Sequence, residues 1–175
     1  VSMAEIAPPI LACARHAQAI QARGGPRVVV ALEPEPGLTV ETTPEAIAFF
    51  ERFVPAELRS VLGVNLDLAH QLVQFEDLAE SVAQLRRHEI PLAKVHVTNA
   101  AEMAAPLRPF YRDSIYLHQV SGVNAAGQRV YFSLDWPADP PPAAITRFRV
   151  HYHLPVCPTD LPSTLAAVEM FLRAV

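Results

Sequence analysis

Apolar runs and alternating stretches divide this chain into short strands and amphipathic helices. Residues 28–32 are a continuous, largely β-branched apolar run, the pattern of a strand covered on both faces. Residues 60–70 begin in the same way but run out of apolar side chains at Asp67, with His70 three residues further on. Residues 92–97 predict a third strand whose parity puts Lys94, His96 and Thr98 on one face and Val95 and Val97 on the other. Residues 115–120 and 128–132 predict two strands joined through Asn124-Ala125-Ala126-Gly127, a hairpin connection. The clearest alternation of polar and apolar positions is at 147–154.

Between these strands the period changes to that of a helix. From about Pro9 to Arg23, Ile10, Cys13, Ala14, Ala17 and Ile20 fall on one side, and Gly24-Gly25-Pro26 stops the segment. Thr43 reads as an N-cap with Pro44 at the first helical position, followed by Ile47, Phe50 and Val54 as a buried stripe. Asp77 caps a further helix with Leu78, Val82 and Leu85 inward, and 163–174 offers Leu165, Val168, Phe171 and Leu172 for burial. Residues 102–113 read as a proline-interrupted helix or loop.

The strand-helix-strand-helix order predicts an α/β fold with parallel strands and right-handed crossovers. In such folds functional groups gather at the carboxyl ends of the strands. The polar residues fall there: Glu33 and Glu35, Asp67 and His70, His96, His118, His151 and His153. Carboxylate oxygen and neutral imidazole nitrogen are good ligands for zinc or manganese, with magnesium a further candidate. Asp67 and His70 alone read more readily as a loop acid and a partly buried histidine. Repetition at successive strand ends favours a divalent metal site.

Composition narrows the class. With 175 residues, 51% hydrophobic and 18% charged, the chain has enough apolar surface for one sizeable core. The net charge of -4, with Lys94 the only lysine and scattered arginines, argues against a nucleic-acid partner. No apolar run approaches the roughly 18 residues of a membrane span, and the N-terminus lacks a signal-peptide layout, so a cytoplasmic protein is expected. The two cysteines, Cys13 and Cys157, read as buried thiols rather than a disulfide.

The strand ending in Leu32-Glu33, the Leu66-Asp67-Leu68-Ala69-His70 turn and Val95-His96-Val97-Thr98-Asn99-Ala100 resemble the later part of a xylose-isomerase-like TIM barrel. Three further phrases are most similar to the EboE-type metabolite traffic proteins of that superfamily. They are Ala31-Leu32-Glu33-Pro34-Glu35-Pro36-Gly37 with Glu41-Thr42-Thr43-Pro44-Glu45, Tyr116-Leu117-His118-Gln119-Val120, and Val150-His151-Tyr152-His153-Leu154-Pro155-Val156. The likeness spans roughly Arg27 to the C-terminus. It implies Glu33 as a metal carboxylate, Asp67 and His70 as an aspartate–histidine ligand pair, and His96 as the ligand of the next strand. His118 and His153 stand where later ligands fall, on a looser match. Where the superfamily often has a carboxylate on its last strand, this chain has His151 and His153. A complete barrel of this type has eight strands and about 250 residues. The resemblance therefore implies one domain over 1–175, the C-terminal portion of a (β/α)8 barrel, with an inserted β-hairpin and without its first three βα units.

The function implied is that of a metal-binding, sugar-phosphate-isomerase-like protein acting on a small polar metabolite. Glu35 stands near as a proton-transferring base, against a surface loop acid. Lys94 stands near as the cation for an anionic substrate group, against an ion pair with an acid such as Asp67. Arg149 carries the same two readings, nearer the strand's beginning and so more structural. The alternative is a non-catalytic metabolite-binding or transport-accessory protein with a membrane-associated partner. An endonuclease IV-like hydrolase ranks last, given the charge and the scarcity of lysine.

Overall fold

The apolar run around Val64 forms β2 (Leu62–Asp67), every residue of which is buried. It is the middle strand of a parallel sheet, with β1 (Val30–Leu32) on one side and β3 (Leu92–His96) on the other. The structure, a computed structural model, describes residues 1–104, 115–137, 139 and 141–174. The chain divides into two units, one of Val1–Asp67 with Glu80–His96, the other of Leu68–Ala79 with Val97–Val175.

In the first unit the parallel sheet is packed by α1 (Met3–Ala22) and α2 (Thr43–Phe53) around a core that includes Ala14, Phe49, Phe50, Leu62 and Val64. Leu85 of α4 (Leu78–Arg87) joins this core. Helix α1 starts earlier than the proline signal suggests. The Glu5 carboxylate accepts from the Ser2 backbone N–H at 2.7 Å and fixes the first turn at Ser2, leaving Pro8 and Pro9 inside the helix. The N-cap of α2 is Thr42 rather than Thr43: Thr42 Oγ1 accepts from Glu45 N and the Glu45 carboxylate accepts from Thr42 N, a reciprocal cap. Thr43 is buried instead.

The second unit is an antiparallel sheet in the order β4-β7-β5-β6, of β4 (Asn99–Ala104), β5 (Val120–Asn124), β6 (Arg129–Ser133) and β7 (Ile145–Leu154). The hairpin foreseen through 124–127 is there. Asn124 Oδ1 accepts from Ala126 N and Gln128 N, and Gly127 takes the left-handed φ of 76° that closes the turn. Along β7, Phe148, Val150 and Tyr152 enter a core with Val120, Ile145 and Trp136, as the alternation predicts. Helices α3 (Leu68–Val73) and α5 (Leu165–Ala174) belong to this unit, α5 burying Val168 and Phe171.

Several sequence expectations are corrected. Strands run parallel only in the first unit, because β7 pairs antiparallel with both β4 and β5. The hairpin strands continue that antiparallel sheet rather than adding to the parallel one. Strand structure begins at Val120 rather than 115, and β4 occupies the first residues of the segment read as helix or loop, of which 105–113 lie outside the described residues. Both cysteine thiols are exposed rather than buried, and neither is in a disulfide. Among the described residues no helix is long and apolar enough to cross a membrane.

Candidate metal centre

Strand β1 stops because Pro34 and Pro36 have no backbone N–H to continue a ladder. The chain folds over there, Glu35 N donating to Val40 O at 3.0 Å and Leu38 N to Glu35 O at 3.1 Å. Glu33 is thus the first residue past the strand, two-thirds buried, at the carboxyl edge of the parallel sheet. Asp67 is the last residue of β2 and wholly buried, and His96 is the last of β3.

A register shift makes these last two neighbours. Val64 pairs with Leu92, but Asn65 pairs with Lys94 and Asp67 with His96. The extra residue, Ala93, advances β3 by one. Without it Val95 would stand beside Asp67 and the imidazole would turn to the opposite face.

The result is a compact set. His96 Nδ1 lies 3.1 Å from Glu33 Oε1 and 3.2 Å from Asp67 Oδ2, and the three ligand atoms fall within 4.8 Å of one another. Separations near 3 Å are those of adjacent ligands around an ion with bonds of about 2.1 Å. They equally suit an Nδ1–H between two carboxylates, so the set accommodates a proton or a cation. Asn65, two residues before Asp67 on the same face of β2, adds an amide whose Nδ2 is 3.2 Å from His96 Nδ1. Its Oδ1 is buried without a hydrogen-bond partner, an oxygen lacking the donor or cation that burial calls for. Two carboxylates and one imidazole fit a divalent ion, and the Asn65 amide turned end for end would add its oxygen. The sequence reading does not single out Asn65; its shared parity with Asp67 on β2 is the one feature that points to it.

The remaining candidates separate. His70 lies buried on α3, in the second unit, because α3 begins directly at Leu68 rather than after a loop. It meets His151 and His153 of β7, with ring centroids at 4.6 and 5.5 Å, and these three form a second group of ligand atoms within 4.8 Å. The Asp67–His70 pair is therefore divided between two groups. His118 joins neither: it is buried with its ring 4.4 Å from that of Tyr152, and its backbone N–H donates to Asp135 at 3.0 Å. Glu35 is half-buried in the turn after β1, and Lys94 is exposed on β3 with no ion pair among the described residues.

Arg149 takes the structural of its two readings. Its Nε donates to Glu102 Oε2 at 2.7 Å and a terminal nitrogen donates to Leu72 O at 2.8 Å, with the guanidinium 4.4 Å above the Phe75 ring. Burial pulls its pKa below the ordinary arginine value, while the Glu102 carboxylate opposes the shift. Compared with known proteins, the chain matches no family model, no curated protein and no solved structure.

Proposed function

We propose that this chain binds a divalent metal ion through Glu33, Asp67 and His96 and belongs to a xylose-isomerase-like protein acting on a small polar metabolite. The observation that carries the reading is the convergence of those three side chains at the carboxyl ends of adjacent parallel strands. On this reading the three-stranded parallel sheet is part of a (β/α)8 barrel, whose active sites sit at that edge.

When bound, a divalent ion supplies polarisation of a substrate carbonyl and its neighbouring hydroxyl. Glu33 and Asp67 contribute the negative charge that selects a cation. Asn65 lies against His96 Nδ1 and, with its amide turned end for end, offers Oδ1 to the same ion. Glu35, held in the turn two residues past Glu33, takes a proton from the substrate carbon and returns it to the adjacent one. Lys94, on the same strand face as His96, meets an anionic group such as a phosphate.

Metal analysis of the purified protein with manganese and zinc titrations tests the reading. About one equivalent is expected at this group, lost in Asp67→Asn and in His96→Ala. Exchange of a sugar phosphate's α-proton into heavy water, lost in Glu35→Gln with metal retained, would mark isomerase chemistry. Absence of any ion sensitive to Asp67→Asn would overturn the proposal, and bound ion with no exchange would favour the accessory protein.

A further inference from the structure

The polar face of β7 carries a histidine set of different chemistry. His151 and His153 are two residues apart on one strand, so they share a face, and their ring centroids are 4.9 Å apart. Their Nε2 atoms are 2.8 Å apart. Two imidazole nitrogens that close repel unless a proton or a cation lies between their lone pairs. His70 approaches from α3, its ring at 88° to that of His151.

Gln119 orients the His151 ring, and with its amide oxygen toward Nδ1 it selects one tautomer. Gln119 Oε1 lies 2.7 Å from His151 Nδ1, and an amide oxygen only accepts, so Nδ1 carries the hydrogen and Nε2 presents its lone pair toward His153. An oriented imidazole with its other nitrogen held by an oxygen acceptor is the arrangement that supports metal ligation. Burial is graded across the set: His70 is buried, His151 half-buried and His153 exposed. An ion can therefore enter from the His153 side, and three protein ligands leave a coordination position for water or another small ligand.

We propose that His70, His151 and His153 form a second metal site, an all-imidazole site for zinc or a similar late first-row ion. Its donors are nitrogen only, which disfavours magnesium and manganese and distinguishes it from the carboxylate-rich Glu33 group. The site shares no ligand with the group of Glu33, Asp67 and His96 and stands whether or not that reading does. The hydrogen shared between His151 and His153 moves to the far ring nitrogen of His153 when the ion binds, so both rings ligate as neutral imidazoles. Gln119 is a positioning residue.

The test is a cobalt(II) titration of the full chain carrying Asp67→Asn, followed by visible absorption and by displacement with zinc. One equivalent with ligand-field bands is expected. His153→Ala in that background should weaken it at least tenfold, and Gln119→Leu by about 10–100-fold with the stoichiometry kept. His153 is exposed, so its removal opens no cavity, and melting curves of the metal-free variants should coincide. As a check that needs no substitution, paramagnetic cobalt should broaden the ring resonances of His70, His151 and His153 in the unaltered protein. Cobalt binding unchanged by His153→Ala, or broadening confined to His96, would overturn the proposal. Loss of one group with survival of the other separates its failure from that of the Glu33 site.

Discussion

Gly63 and Pro91 approach so closely that a β-carbon on Gly63 would stand 2.5 Å from the Pro91 carbonyl oxygen, and 3.0 Å from the β-carbon of Ala93. The obstacle is backbone at the entry to β3, just ahead of the extra residue that places His96 beside Asp67. Gly63→Ala must push β3 away from β2. The expected cost is about 1–3 kcal/mol, seen as a lowered melting temperature. Divalent-ion affinity at the Glu33 group should fall with it, since the ligands sit on the displaced strand. An unchanged ion titration would show that the register of β3 does not depend on this contact.

The start of α2 gives a sharper local test. Thr42→Ala removes the acceptor for Glu45 N and is expected to cost about 1 kcal/mol, measured by urea denaturation. A capping role at Thr43 would predict the reverse ranking for hydroxyl loss when the methyl is kept, so Thr42→Val and Thr43→Val should be compared. Only the first should lose the cap.

Arg149 and Arg147 share Glu102 but not equally. Arg149 is largely buried and donates at 2.7 Å, whereas Arg147 is about half-exposed with its Nε 3.9 Å away. Arg149→Met leaves Glu102 without its near donor and removes one of the two donors to the Leu72 carbonyl, Phe75 N remaining, and should cost about 2 kcal/mol. Arg147→Met should cost less than about 1 kcal/mol, as exposed pairs do. Equal losses on denaturation would contradict the brace described for Arg149.

Three expectations follow for ion removal at the Glu33 group. Manganese suits its oxygen-rich donors. At a hundredfold excess over its dissociation constant the ion should add about 2.7 kcal/mol of stability, reversed by chelator. Asp67→Asn should abolish the gain. Acidification should weaken it, because the ligands must lose their protons to bind. Differential scanning calorimetry with and without manganese at two pH values checks all three.

Much of this site was legible in the sequence, and the reasons are local. A largely apolar run such as 61–66, interrupted only by Asn65, suits the middle of a parallel sheet, and the acid that ends it falls at the sheet's edge. That logic reached Glu33, Asp67 and His96. It did not reach the division of Asp67 from His70, because spacing alone does not tell a loop from a helix that begins at Leu68. The direction of β7 was likewise hidden, since alternation in 147–154 gives the faces of a strand but not the sense of its neighbours. Asn99–Ala104 carries little intrinsic strand preference, and its pairing with β7 decides its conformation. Gln119 and Asn65 carry no motif at all; each matters only through the ring nitrogen it faces.

β7 is hydrogen-bonded on both sides, by β4 and β5, whereas β6 has β5 on one side only. Backbone amides of Val150 and its neighbours should therefore be the last of this sheet to exchange with deuterium, and those of β6 the first. His151 and His153 follow directly on the doubly paired segment 147–150, at the point where β4 shifts register and the pairing with β5 ends, so their backbone is anchored from one side and can adjust its spacing to an ion.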